Sequence, residues 1–155
     1  MNAHAGPTQD GLGALGGRSA ADVSLRLPAD GAFVLILRTA AAGLAARLDF
    51  PLDDIEDIRT AVDEASSMLI PQAEPDSQLS CDFRLEPDLL TVTLEARSSD
   101  PHEPDRDSFS WQVLSALTDE VTATAGDGAI RLVLTARSSS SSARGGGPVG
   151  LVAES

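Results

Sequence analysis

The chain has 155 residues, of which 42% are hydrophobic and 3% aromatic, so it can build one domain around an aliphatic core. All eleven basic residues are arginines, which excludes P-loop ATPases, eukaryotic-type kinases and Schiff-base enzymes, because each class needs a lysine. A net charge of −13 argues against nucleic-acid binding, and one cysteine excludes both a disulfide framework and a cysteine-rich zinc site.

The two ends of the chain differ in composition from its middle. Residues 1–20 and 138–155 are rich in glycine and serine and lack periodicity, which predicts flexible tails around a domain at 21–137. No stretch has the length of a membrane span or the pattern of a secretion signal. We therefore expect a cytoplasmic protein that does not contact the membrane.

The first half of the domain predicts one strand and two helices. Residues 22–27 alternate polar and apolar side chains, which is typical of a half-buried strand. Asp30 is expected to cap a helix at 32–48, and acidic residues load the first turn of a second helix at 53–69. The positions near helical spacing are Phe33, Ile36, Leu37, Ala40, Leu44 and Arg47 in the first helix and Ile55, Ile58, Val62, Ala65 and Leu69 in the second.

The second half predicts two hairpins separated by a loop and a short helix. Its elements are strands at 78–85 and 89–96, a polar loop at 97–107, a helix at 109–117, and strands at 120–124 and 129–136. Cys81 is expected to be buried in its strand. The order β-α-α-β-β-α-β-β predicts an α+β two-layer sandwich, with helices on one face of a mostly antiparallel sheet.

Two strings in this sequence resemble a known family. DDIEDIRTAVDEA, at 53–65, follows a strand and a helix that contains Leu37-Arg38, and SFSWQVLSALTDEV spans 108–121. Together they are similar to bacterial anti-sigma regulatory factors of the serine/threonine-kinase type, within the GHKL superfamily. The resemblance covers about residues 22–137 and implies a histidine-kinase-like ATPase fold that uses ATP and Mg²⁺.

The resemblance also assigns roles to particular positions. A glutamate at the position of Glu64 acts as a base, and an asparagine one helical turn later ligates Mg²⁺. Position 68 is a methionine, whose thioether is a poor ligand for a hard cation, so no metal ligand is predicted. No adenine-binding aspartate stands at 97–99. Ser108 and Ser110 replace a glycine-rich turn and, with Glu64, are the remaining candidates for binding the cofactor.

These positions also have structural interpretations. Glu64 is equally well explained as a solvated helix acid, and Met68 as core or as lining of a pocket. Phe109 and Trp111 are expected to pack. Four loop residues that can be drawn as a metal site fit a charged surface loop better: Asp100, His102, Glu103 and Asp105.

As function, the resemblance implies an anti-sigma factor that sequesters an alternative sigma factor and is relieved by an anti-anti-sigma factor. It also implies a homodimer formed through the sheet and the first helix. Arg38 is the candidate partner contact, with a surface arginine or an internal ion pair as the alternatives. Because three of four nucleotide determinants are replaced, the sequence favours weak or no nucleotide use. Two alternatives are an active serine kinase that phosphorylates the anti-anti-sigma factor, with Glu64 as base, and a small-ligand sensor.

Overall fold

The computed structural model describes residues 20–141. The tails predicted at 1–20 and 138–155 therefore lie almost wholly outside the described residues. No helix within the described range is long and apolar enough to cross a membrane.

The start of the predicted C-terminal tail packs on the domain. Ser138 is buried, and its backbone N–H donates to the carbonyl of Asp88 at 2.9 Å. The backbone N–H of Ser139 donates to Asp54 Oδ2 at 2.7 Å. Ser138 and Ser139 thus contact the domain through their backbone N–H groups.

The domain contains five strands and three helices. In chain order they are β1 (Val23–Pro28), α1 (Val34–Arg47), α2 (Leu52–Leu69), β2 (Gln78–Glu86), β3 (Leu89–Arg97), α3 (Phe109–Leu117), β4 (Glu120–Gly126) and β5 (Ala129–Arg137). Single 3-10 turns precede α1 at Gly31–Phe33 and follow α2 at Ile70–Gln72. Asp30 caps the first of these turns, because its side chain accepts the N–H of Ala32 at 2.9 Å.

The strands form one sheet in the order β1-β2-β3-β5-β4, and every neighbouring pair is antiparallel. Side chains on one face of this sheet are buried under the helices, while those on the other face are exposed. The predicted α+β two-layer sandwich is confirmed. The predicted hairpins are β2–β3 and β4–β5.

The core lies between the sheet and the helices. Alternate residues of β3 and β5 are buried, and α2 contributes a stripe at steps of three and four residues, as the sequence predicted. Cys81 is 1% exposed within this core. Burial, with a smaller contribution from Asp82, raises the pKa of its thiol well above the usual range, so the thiol is unreactive.

The buried face of α1 differs from the expected one. The structure buries Val34, Leu37, Ala41 and Ala45. Phe33 and Ile36, which the sequence analysis placed on the same apolar stripe as Leu37, are 36% and 50% exposed. The helix is apolar on all sides, so the spacing of its apolar residues could not select the face that meets the sheet.

Candidate functional site

The C-terminal half of α2 and the start of α3 border a surface cleft of about 370 Å³. Met68, Ser108 and Ser110 all line it, together with Gln72 and four loop residues, His102, Glu103, Pro104 and Asp105. The structure thus brings together three of the positions that the sequence analysis selected. Glu64, one helical turn before Met68, is half-buried and does not line the cleft.

The hydroxyl of Ser108 has a structural role. Ser108 is the N-cap of α3, and its Oγ accepts the backbone N–H of Trp111 at 3.1 Å. Trp111 is 7% exposed and packs in the core as expected, whereas the expectation that Phe109 packs is wrong, since its side chain is 80% exposed. Phe109 directly follows the cap, and the first turn of α3 directs it away from the core.

We call residues 98–107, which cross between β3 and α3, the strap. The sequence predicted a polar loop here, and the structure shows how the loop is fixed. Gln72, at the end of α2, accepts the backbone N–H of His102 at 2.9 Å and donates to its carbonyl at 3.0 Å. At the other end of the strap, the side chain of Asp105 accepts the backbone N–H of Asp107 at 2.9 Å.

The charged groups at the cleft do not suit a triphosphate. Glu103 and Asp105 both line it, and no Arg does. The nearby Arg106 pairs with Glu103 at 3.0 Å and lies 4.5 Å from the ring centroid of Trp111. A triphosphate would meet carboxylates here and no guanidinium left free to neutralise it.

The end of β3 carries no acceptor carboxylate for adenine. Arg97 is exposed, and Ser98 is the residue buried at this point, with 1% exposure. The Ser98 hydroxyl accepts the backbone N–H of Asp100 at 3.3 Å. Within residues 20–141, no three His, Cys, Asp or Glu side chains are grouped as metal ligands. The residues that line the cleft therefore do not fit Mg²⁺-ATP.

A second region of interest lies on α1. Arg38 forms an ion pair with Asp63 of α2, with 3.6 Å between Nη1 and Oδ1. Leu35 and Ile36, in the first turn of α1, and Phe33, at the end of the preceding 3-10 turn, are exposed, and we call these three residues the α1 patch. Arg38 was predicted from the sequence as the partner contact, whereas Leu35 was not predicted to be exposed. The available signal was that this helix carries apolar residues on more than one side. Only one side can face the sheet, so apolar side chains had to remain exposed on another.

No family model matches this chain. It is 38% identical over 88 residues to the anti-sigma-F factor RsbW of Mycobacterium tuberculosis (strain CDC 1551 / Oshkosh), which is 56% of this chain and 51% of that protein. It is 33% identical over 72 residues to the serine-protein kinase RsbW of Bacillus cereus (strain B4264), which is 45% of each chain. The chain thus spans about half the length of the curated relatives that it matches.

The resemblance to the anti-sigma regulatory kinases is confirmed. A crystal structure of the RsbU and RsbW domains of Rv1364c from Mycobacterium tuberculosis has the same fold, with a TM-score of 0.58. It is 16% identical in sequence and covers 75% of this chain and 31% of that one.

The resemblance to anti-sigma regulatory kinases implies a base at the position of Glu64 and a Mg²⁺ ligand at position 68. Among the described residues, the Glu64 side chain has no hydrogen-bond or ion-pair partner. Met68 presents its thioether to the cleft, where the resemblance implies an amide oxygen. Glu64 and Met68 are thus one helical turn apart as the resemblance implies, but Glu64 does not line the cleft and Met68 offers a thioether to it.

Proposed function

We propose that the protein is an anti-sigma factor that binds and sequesters an alternative sigma factor of the stress-response type, with weak or no use of nucleotide. Its similarity to RsbW proteins supports this class of function. The observation that carries the proposal is the α1 patch, which leaves three large apolar side chains uncovered beside a charged residue, Arg38.

The α1 patch has the composition of a protein-binding surface. Phe33, Leu35 and Ile36 are 36%, 55% and 50% exposed and lie within four residues at the start of α1, with the buried Val34 between the first two. Single exposed apolar side chains are ordinary, but a contiguous group costs free energy in water, and a partner can recover that cost. In protein interfaces a few side chains carry most of the binding energy, and Arg is enriched among those residues. We assign the sigma-factor contact to this patch and Arg38.

Charge supports a basic partner. The chain carries a net charge of −13, so it would attract a partner with basic helices over a long range and would repel nucleic acid. Electrostatic attraction of this kind mainly raises the association rate, while the apolar patch determines how long the complex lasts.

The cleft supports the non-catalytic form of this proposal. Its carboxylates, the capping role of Ser108 and the thioether of Met68 all work against holding a metal-bound triphosphate. Phosphoryl transfer depends mainly on positioning and on charge neutralisation of the phosphates, which these groups do not supply. Isothermal calorimetry with Mg²⁺-ATP is expected to show no binding at micromolar concentrations.

One observation favours the alternative of an active kinase that phosphorylates an anti-anti-sigma factor. The Glu64 carboxylate is unpaired among residues 20–141, so it remains available as a base. Micromolar Mg²⁺-ATP binding that Glu64→Ala abolishes would establish this alternative, with Glu56→Ala, an exposed acid of the same helix, as the control.

A homodimer is proposed through the exposed face of the sheet. Among the described strands, five arginines and four carboxylates point to this face: Arg26, Arg84, Arg97, Arg131, Arg137, Asp82, Glu86, Glu95 and Glu120. The face is thus nearly neutral in a chain of −13, so two copies can meet there with little charge repulsion. Analytical ultracentrifugation tests this proposal. A monomer at about 100 µM would contradict it, because the dissociation constant of the dimer would then lie above about 100 µM.

The sigma-factor proposal is tested by direct pairing. The purified protein is mixed with each sigma factor encoded by the same genome, and the mixture is passed over a sizing column. We expect a stable complex with at least one stress-response sigma factor. Failure of every pairing would remove the proposed function. An anti-anti-sigma factor added to the complex is expected to release the sigma factor.

A further inference from the structure

The sheet ends in two edge strands, β1 on one side and β4 on the other. β4 pairs with β5 and with no other described strand. An edge strand presents a row of backbone N–H and C=O groups that the sheet leaves without partners. Among residues 20–141, no backbone or side-chain group outside β5 is hydrogen-bonded to the backbone of Glu120–Gly126. The outer edge of β4 is therefore open within the part of the chain that the structure describes.

The two edges differ in how well they are protected against pairing with another chain. Edge strands are commonly protected by proline, by a charge within the strand or by a bulge. β1 has two of these features, because Pro28 carries no N–H and Arg26 lies within the strand. β4 contains neither proline nor arginine, and after Glu120 it carries no charge. Its register with β5 runs without a bulge from Glu120 to Gly126. β4 is thus the edge that can accept a further strand.

Negative charge is placed at both ends of this edge. Asp119 and Glu120 lie at the start of β4, Asp127 follows its last residue, and all three are exposed. If two copies paired antiparallel about Ala123, Asp119 of one copy would lie opposite Asp127 of the other. Like charges directly opposite each other across two strands are destabilising. The edge therefore disfavours a second copy and suits a neutral segment that carries a cation at each end.

We propose that the outer edge of β4 binds an extended segment of a partner protein, which adds a strand to the sheet and carries Arg or Lys at both ends of a neutral stretch. Main-chain hydrogen bonds hold the segment, and the end charges select it. Because acids lie at both ends of β4, the segment binds in either direction. The contact uses neither the α1 patch nor Arg38, and α1 packs on β2, away from this edge.

The open edge is tested first in the free protein, by hydrogen exchange of the β4 amides followed by NMR. Alternate N–H groups of an antiparallel edge strand point away from its neighbour, so we expect them to exchange at least about tenfold faster than those bonded to β5. The rates should not change at about tenfold higher protein concentration. Protection that grows with concentration would place a second copy on the edge, and protection at both concentrations would place there a part of the chain outside residues 20–141. Either result would overturn the inference.

The chemistry of the segment is tested with a synthetic peptide, Arg-Thr-Val-Thr-Val-Thr-Arg, with both termini blocked. Fluorescence anisotropy of the labelled peptide should show binding, and the outward N–H groups of β4 should exchange more slowly in its presence. A control peptide with Glu in place of both Arg is expected to bind at least about tenfold more weakly. The inference fails if the Kd of the arginine peptide lies above about 1 mM, if both peptides bind equally, or if the peptide protects β1 instead of β4.

The end charges are tested by a double variant of the protein. Glu120→Gln with Asp127→Asn removes one charge at each end of β4 and should weaken binding of the arginine peptide about three- to tenfold. Asn tolerates the positive φ of residue 127, which is 53°, so the fold should be unaffected. Asp76→Asn is the matched control, because Asp76 is also an exposed acid with a positive φ, of 60°, and lies outside β4. Unchanged binding in the double variant, or an equal loss in the control, would show that the acids at the ends of β4 do not select the segment and would overturn the inference.

Discussion

The α1 surface and the cleft beside α3 differ in how their side chains are satisfied. At the cleft, three of the polar side chains that could meet a ligand already have internal partners: Ser108 caps a helix, Gln72 holds the strap, and Glu103 pairs with Arg106. On α1, three large apolar side chains are uncovered, and the Nε of Arg38 has no acceptor among the described residues.

This difference indicates which of the two surfaces would gain more free energy on binding. A ligand entering the cleft would have to displace internal contacts of Ser108, Gln72 or Glu103 to bind those groups, so the net gain from them would be small. A partner that covers the α1 patch removes apolar surface from water without displacing an internal hydrogen bond of these three side chains. The fold is shared with a solved RsbW-containing structure, while the uncovered apolar side chains lie on the first helix and not at the cleft.

The largest expected effect is on the α1 patch. Replacing Leu35 and Ile36 together by Asp should weaken sigma-factor binding by about a hundredfold or more, because it removes two apolar anchors from the contact. Folding should be little affected, since both side chains are exposed and acids are favourable in the first turn of a helix. Surface plasmon resonance measures the affinity, and thermal unfolding checks the fold.

Leu52→Asp is the matched control for this pair. Leu52 is the first residue of α2 and is 71% exposed, so the substitution makes one such change in the first turn of another helix, and its effect is compared with that of Leu35→Asp or Ile36→Asp alone. We expect it to bind normally. Equal loss in the control would mean that added negative charge, and not the patch, explains the effect.

A smaller effect is expected at the cap of α3. Ser108→Ala should lower the free energy of unfolding by about 1 kcal/mol, because the N–H of Trp111 loses its acceptor. Urea denaturation measures the change, and Ser108→Thr, which keeps an acceptor oxygen, should retain most of the stability. Ser110→Ala, inside the first turn, should be close to neutral. No loss of stability with Ser108→Ala would leave its hydroxyl free for a ligand, against our account of the cleft.

The smallest expected effect is at Met68. Met68→Asn restores the side chain that the family resemblance implies for Mg²⁺. It should nevertheless produce no measurable binding of Mg²⁺-ATP in calorimetry, because the cleft still presents carboxylates and lacks a free cation. Recovery of micromolar binding by this single change would show that one ligand, and not the whole cleft, prevents nucleotide binding.

The sequence predicted the secondary structure of this domain well, and the physical reason is local. α2 shows a clear apolar period, and the turn residues between β2 and β3 and between β4 and β5 mark their hairpins. The buried face of α1 could not be predicted in the same way, because apolar residues lie on every side of this helix and show no clear helical period. The exposure of Phe109 was missed as well, since an aromatic residue in a short helix gives no sign of the side on which it lies.

The site was predicted only as a set of positions. Helical spacing placed Glu64 and Met68 one turn apart, and the resemblance placed Ser108 and Ser110 near them, but spacing could not show that Ser108 is a cap. The pair between Arg38 and Asp63 joins residues that are distant in the sequence and on different helices. Such contacts depend on how helices pack, which single-sequence patterns do not specify.

The most direct test of the central claim compares sigma-factor binding in nucleotide-free buffer and in saturating Mg²⁺-ATP. Since the α1 patch is complete without a ligand, we predict a stable complex with the same Kd, within about twofold, in both conditions. A complex that forms only with Mg²⁺-ATP, or whose affinity changes by about tenfold or more, would contradict the account and return the nucleotide to the centre of this protein's function.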